Sequence, residues 1–174
     1  MNFMTTFILF GLNSFSAVAG EAAFSGINSE VYFFKDGEYV RQKKGKNTAE
    51  SGYPKPINET TWPGLTPYRY KITAALTDGN NGVFFLSDGR YITYDLKEMR
   101  ILPGYPKEIA NSNWNGLSPY AKNISAAIKY NAKYVYFFLT DGRYILYNLK
   151  SREMPSKYPK YLDGSEWKGL CFWL

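Results

Sequence analysis

Histidine is absent from all 174 residues, and cysteine occurs once, as Cys171. The first absence removes imidazole acid–base catalysis, His–carboxylate triads, His-ligated zinc and His-ligated haem together. The second removes any intrachain disulfide, thiolate metal cluster or iron–sulfur centre, and without histidine a Cys–His nucleophile goes as well. Long apolar runs are also missing. The N-terminal run Phe7–Leu12 falls far short of the roughly 20 residues that a bilayer-spanning helix requires, so no membrane span is expected. Charge of one sign is only mildly in excess: Lys and Arg outnumber Asp and Glu by 21 to 15, a net charge of +6. That favours weak attraction to acidic surfaces. The single dense patch, KKGK at 43–46, reads as a solvated turn, and nucleic acid is not an expected partner.

Aromatic rings are abundant, with 16 Tyr and 12 Phe against 4 Trp. Flat amphipathic rings pack well on a pleated surface, so the composition points to an all-β fold, built as one domain or one array of small units. At the N-terminus, Phe7–Leu12 is followed by small residues ending Ala17-Val18-Ala19. This matches the core and end of a secretory signal, although no Lys or Arg precedes the run. Residues 1–20 are therefore read as a signal-like or gap-filling segment, and the expected location is secreted, extracellular.

The remainder is repetitive. AAFSGINSEVYFFKDGEYV from Ala22, AALTDGNNGVFFLSDGRYI from Ala74 and AAIKYNAKYVYFFLTDGRYI from Ala126 align, which places Asp-Gly pairs at Asp36, Asp88 and Asp141. The second half of the unit recurs as GYPKPINETTWPGLTPY, GYPKEIANSNWNGLSPY and KYPKYLDGSEWKGL. A period of about 52 residues in three copies is the signature of a propeller or solenoid. Units 21–68, 69–120 and 121–174 follow. In each, a short apolar run, Asp-Gly and a tyrosine-rich run spell a hairpin, with Asp-Gly supplying the two positive φ angles of a type I′ turn. The Ala pair before each hairpin suits crowded innermost strands, so the axis is expected to be lined by Ala22, Ala74 and Ala126. Proline after the Tyr suits a helix start, and Gly64, Gly116 and Gly169 suit its exit, giving one short outer helix per unit.

The linked motifs Ala-Ala, Val-Tyr-Phe-Phe-x-Asp-Gly-x-Tyr, Gly-Tyr-Pro-Lys-x-Ile and Trp-Pro-Gly-Leu, repeated over 21–174, resemble the hemopexin-like repeat. The stand-alone bacterial photopexin-like and plant albumin-like members are the nearest in type. The resemblance implies a β-propeller of four-stranded blades with short outer helices, here an incomplete four-bladed propeller with three recognisable blades. The chain departs from the pattern in lacking a fourth repeat and the blade-tying disulfide. It also carries Glu21, Thr73 and Ser125 where the family commonly has Asp, and Val40, Ile92 and Ile145 where it often has Trp.

The resemblance further implies a calcium or sodium ion in the axial channel, held by backbone carbonyls of Glu21, Ala23, Thr73, Ala75, Ser125 and Ala127. Hard cations take such oxygens. The hairpin tips offer Arg90 and Arg143 beside Tyr91 and Tyr144, although such residues are more often plain strand surface. Asp36, Asp88 and Asp141 recur in every unit, which argues for turn structure over catalysis, because an active site is usually unique. The reading is a non-catalytic, secreted binding module for a protein, glycan or small ligand, in a toxin or defence setting. The alternative is a storage protein of seed-albumin type or a truncated hemopexin-like gene product. A second copy covering the missing blade is the expected self-association.

Overall fold

Each repeat folds as one antiparallel sheet in the computed structural model, which describes residues 22–28, 30–162 and 167. In repeat 1, strands β1 (Ala22–Ser25), β2 (Glu30–Lys35), β3 (Glu38–Lys43) and β4 (Lys55–Pro56) lie in chain order. Repeat 2 supplies β5 (Ile72–Asp78), β6 (Asn81–Leu86) and β7 (Arg90–Asp95), with both β8 (Arg100–Ile101) and β9 (Lys107–Glu108) on the outer side of β7. Repeat 3 repeats the plan with β10 (Ile124–Lys129), β11 (Tyr134–Leu139), β12 (Arg143–Asn148) and β13 (Lys160–Tyr161). The innermost strands converge: β5 packs against both β1 and β10, and β1 also meets β10. The sheets are thus blades about a common axis, and the fold is the all-β propeller type that the repeats imply.

Strand alternation decides where the paired alanines go. Neighbouring residues of a strand face opposite sides of the sheet. Ala75 accordingly packs with blade 1 and Ala74 with blade 3, each buried. Small size at these positions lets adjacent inner strands close up, so the alanines face neighbouring blades and do not simply line an axis.

Two aromatic clusters hold the blades together. Trp62 meets Phe24, Phe34 and Tyr39 of blade 1 and Phe84 and Tyr94 of blade 2. Trp114 repeats this between Phe85 and Tyr91 of blade 2 and Phe137 and Tyr147 of blade 3. Both indoles are 1% exposed. Trp167 stands on Tyr136, Phe138 and Tyr144, all of its own blade.

Only the first hairpin has the expected type I′ turn. There Asp36 and Gly37 both have positive φ, and Lys35 pairs with Glu38 across a two-residue loop. At the other two tips only Gly89 and Gly142 are left-handed, and their amides donate to Leu86 and Leu139. The reason is chain length. Phe34 pairs with Tyr39, whereas Phe85 pairs with Tyr91 and Phe138 with Tyr144. The extra residue converts the loop to a tight turn followed by a left-handed glycine.

The outer helices are present but short, and they lie elsewhere in the unit. Pro54 and Pro106 lead directly into the outer strands β4 and β9. Asn58 then caps a turn, its Oδ1 accepting from the Thr60 and Thr61 amides. The 3-10 helices Thr66–Tyr68 and Ser118–Asn123 follow Gly64 and Gly116, with Pro67 and Pro119 in their first turns.

Candidate functional site

The inner-strand residues implied as cation donors are placed as follows. Glu21 lies outside the described residues. Ala23 pairs with Phe33, Ala75 with Phe84 and Ala127 with Phe137. Thr73 and Ser125 sit at register shifts, between Ile72 and Ala74 and between Ile124 and Ala126. A bulge leaves its extra residue outside the regular ladder. Their hydroxyls donate to the Phe85 and Phe138 carbonyls at 3.4 and 3.1 Å. Contacts among β1, β5 and β10 put Ala23, Thr73, Ala75, Ser125 and Ala127 on three adjoining inner strands. Among the described residues no three Asp, Glu, Cys or His side chains gather as metal ligands.

The arginines at the hairpin tips are committed to the turns. Arg90 holds Asp88 at 2.7 Å, with Lys71 joining at 3.0 Å, and Arg143 holds Asp141 at 2.6 Å. Hydrogen bonding from Arg90 pulls the Asp88 carboxyl far below the ordinary carboxylate range. Each guanidinium also lies over a tyrosine of the adjacent 3-10 segment, Tyr68 and Tyr120, at 5.9 and 5.3 Å.

A different constellation lies between blades 1 and 2, where a cavity of about 370 Å³ opens above Trp62. Blade 1 lines it with Glu30, Tyr32, Tyr39 and Arg41, and blade 2 with Leu96, Lys97 and Met99. The Tyr32 hydroxyl donates to Glu30 at 2.6 Å. Arg41 donates to Glu50 through Nε at 2.7 Å, and its Nη1 stands 3.6 Å from Glu30. Burial together with the Glu30 contact pushes the Tyr32 phenol up strongly. Tyr39 is pushed up to about 12, by burial first and then by its hydrogen bond with Tyr53. Gly26 is required beneath this group, because a Cβ there would meet the Tyr32 ring at 2.7 Å.

The repeats concealed this cluster. Tyr32 pairs with Phe24 as Val83 pairs with Leu76 and Tyr136 with Ile128, so the tyrosine recurs in repeat 3, whereas Arg41 follows Tyr39 as Thr93 follows Tyr91 and Leu146 follows Tyr144. The signal was present where repeat 1 departs from its siblings: Glu30 stands against Asn81 and Tyr134, Arg41 against Thr93 and Leu146, and Glu50 against Leu102 and Pro155.

The family model described as Hemopexin matches residues 21–66 and 72–118. Neutrophil collagenase of Homo sapiens is 30% identical over 143 residues, covering 82% of this chain and 28% of the collagenase. The chain thus spans less than a third of that relative's length. Among solved structures, the seed albumin LS24 from Lathyrus sativus superposes with a TM-score of 0.70 at 23% identity, over 90% of this chain and 73% of its own. A plant lectin with two metal binding sites from Cicer arietinum gives 0.59 at 21% identity, over 73% and 59%. At these identities the structural likeness is one of fold.

Proposed function

The chain belongs to the hemopexin family, and from that premise we propose that it is a non-catalytic, secreted binding module for a protein, glycan or small ligand. The observation that carries the reading is the contrast between its two kinds of acidic group. The repeated Asp88 and Asp141 are bound into turn ion pairs, whereas the unrepeated Glu30 lines a concave groove between two blades. A concave site with a few convergent polar groups is the usual form of a binding pocket.

In this reading an axial calcium or sodium ion ties the inner strands together through the carbonyls of Glu21, Ala23, Thr73, Ala75, Ser125 and Ala127. The register shifts at Thr73 and Ser125 support it, because they release backbone groups from strand pairing. Such an ion acts as a structural cross-brace and takes part in no chemistry. Copies also associate through the outer face of blade 3, where Trp167 contacts rings of its own blade alone among the described residues.

Screening the full chain against a glycan array and a small-metabolite thermal-shift library, with every hit followed for turnover, tests the assignment. The expected result is at least one ligand bound and recovered unchanged. Conversion of a hit to product, or no hit in either screen, overturns it.

A further inference from the structure

We infer that the groove between the first two blades is a saccharide site that takes a neutral pyranose ring, an assignment that rests on the binding-module reading. The two inter-blade grooves are built alike but end differently. Above Trp114 the groove is plugged: Arg152 lies 5.0 Å from the ring centre and reaches across to Asp78 at 2.7 Å. The matching positions above Trp62 are Met99 and Gly26. Met99 shares the left-handed backbone of Arg152, with φ of 52° against 56°. Gly26 lies two residues past Phe24, as Asp78 lies two past Leu76. With neither partner of the ion pair present, the first groove stays open.

What replaces the plug has the two-sided character of a sugar. Over the buried Tyr39 and Trp62 rings, the exposed Ile27 side chain, the half-buried Tyr32 ring and the Met99 thioether supply the apolar part of the lining, suited to the C–H face of a pyranose. Glu30 and Arg41 supply a charged acceptor and a charged donor for ring hydroxyls. Charge is balanced, because Arg41 and Lys97 offset Glu30 and the adjoining Glu50. A ligand of net charge would therefore gain no uncompensated partner, and a wholly apolar one would leave Glu30 and Arg41 desolvated without replacement bonds. At about 370 Å³ the cavity falls at the small end of the roughly 300–1,000 Å³ typical of ligand sites, which suits one ring or a short saccharide.

The test is titration of the full chain with the methyl pyranosides of glucose, galactose, mannose and N-acetylglucosamine, read by saturation-transfer NMR and calorimetry. At least one should bind. Met99→Arg, which copies the plug of the second groove onto a backbone position where arginine is already accommodated in blade 3, should abolish binding without lowering the melting temperature. Glu30→Gln should weaken binding about tenfold. If none of the four binds, or Met99→Arg binds as the parent does, the assignment falls. Should Met99→Arg fail to fold, undiminished affinity in Glu30→Gln overturns it instead. Failure of all four sugars alongside a bound ligand of another class would defeat this inference and leave the binding-module reading standing.

Discussion

Trp62 and Tyr94 come from adjacent blades and hold their ring centres 5.4 Å apart at an interplanar angle of 57°. The pair recurs one blade on as Trp114 and Tyr147, at 5.3 Å and 46°. Blades 1 and 2 therefore each lend an indole to the following blade, which returns a tyrosine three residues beyond its hairpin tyrosine. Tilted ring contacts of this kind add to the stabilisation from the area buried.

Emptying an inter-blade tryptophan should be severe. Trp62→Ala and Trp114→Ala are each expected to lower the unfolding free energy by about 3–5 kcal/mol, because each indole joins the middle blade to a neighbour. Trp167→Ala should do less, because it packs on one blade. Urea titration of the three variants checks this, and equal losses would contradict the two-sided packing.

Acid should dissolve the Asp88 contribution. Its carboxyl is held far below the usual range, chiefly by Arg90, so the stabilisation is complete above the ordinary carboxylate pKa of about 4 and is lost as pH falls below it. Asp88→Asn should lose about 0.5–1 kcal/mol at neutral pH, as for a part-exposed pair. Thermal melts at neutral and at strongly acidic pH should show the gap between variant and parent closing in acid.

Alkali acts in the opposite sense on the tyrosines. Burial, aided by hydrogen bonds to Tyr53 and Tyr105, raises Tyr39 and Tyr91 to about 12. Their contribution is full below the unfolded phenol pKa of about 10 and disappears as pH rises through the folded values. Ultraviolet titration should show these phenols ionising together with loss of the β-sheet circular dichroism signal, not ahead of it.

A cation on the axis should stabilise the fold by mass action. Calcium at about a hundred times its dissociation constant would add roughly 2.7 kcal/mol, visible as a melting temperature that rises with calcium and falls again with chelator. Sodium titrated in the absence of calcium gives the comparison. A melting temperature indifferent to both ions removes the axial site.

Association through blade 3 predicts a species larger than one chain in light scattering, reduced to a monomer by Trp167→Glu. A parent protein that is monomeric across the accessible concentration range would show that this face is satisfied without a second copy.

The shared residues of the repeats carried most of the architecture. An apolar run followed by Asp-Gly-x-Tyr specifies a hairpin in all three repeats, and tryptophan before Gly-Leu marks each blade junction. Turn type was less legible, because it depends on one residue of spacing between Phe34 and Tyr39 as against Phe85 and Tyr91. The groove was hardest to see. Glu30, Arg41 and Glu50 are scattered along repeat 1, and alignment of the repeats averages such departures away, while Met99 matters only beside Arg152, which lies 53 positions later in the numbering.

Gln42 occupies the place that Tyr94 and Tyr147 hold in the other blades, three residues past the hairpin tyrosine, and its amide donates to the Lys46 carbonyl of its own loop. Lengthening of the gene by internal duplication is constrained by that single side chain. A copy of repeat 2 or 3 inserted behind repeat 3 would bring a tyrosine to receive Trp167 and extend the ring at once. A copy of repeat 1 would bring a glutamine already engaged, and the new junction would begin without its aromatic clasp.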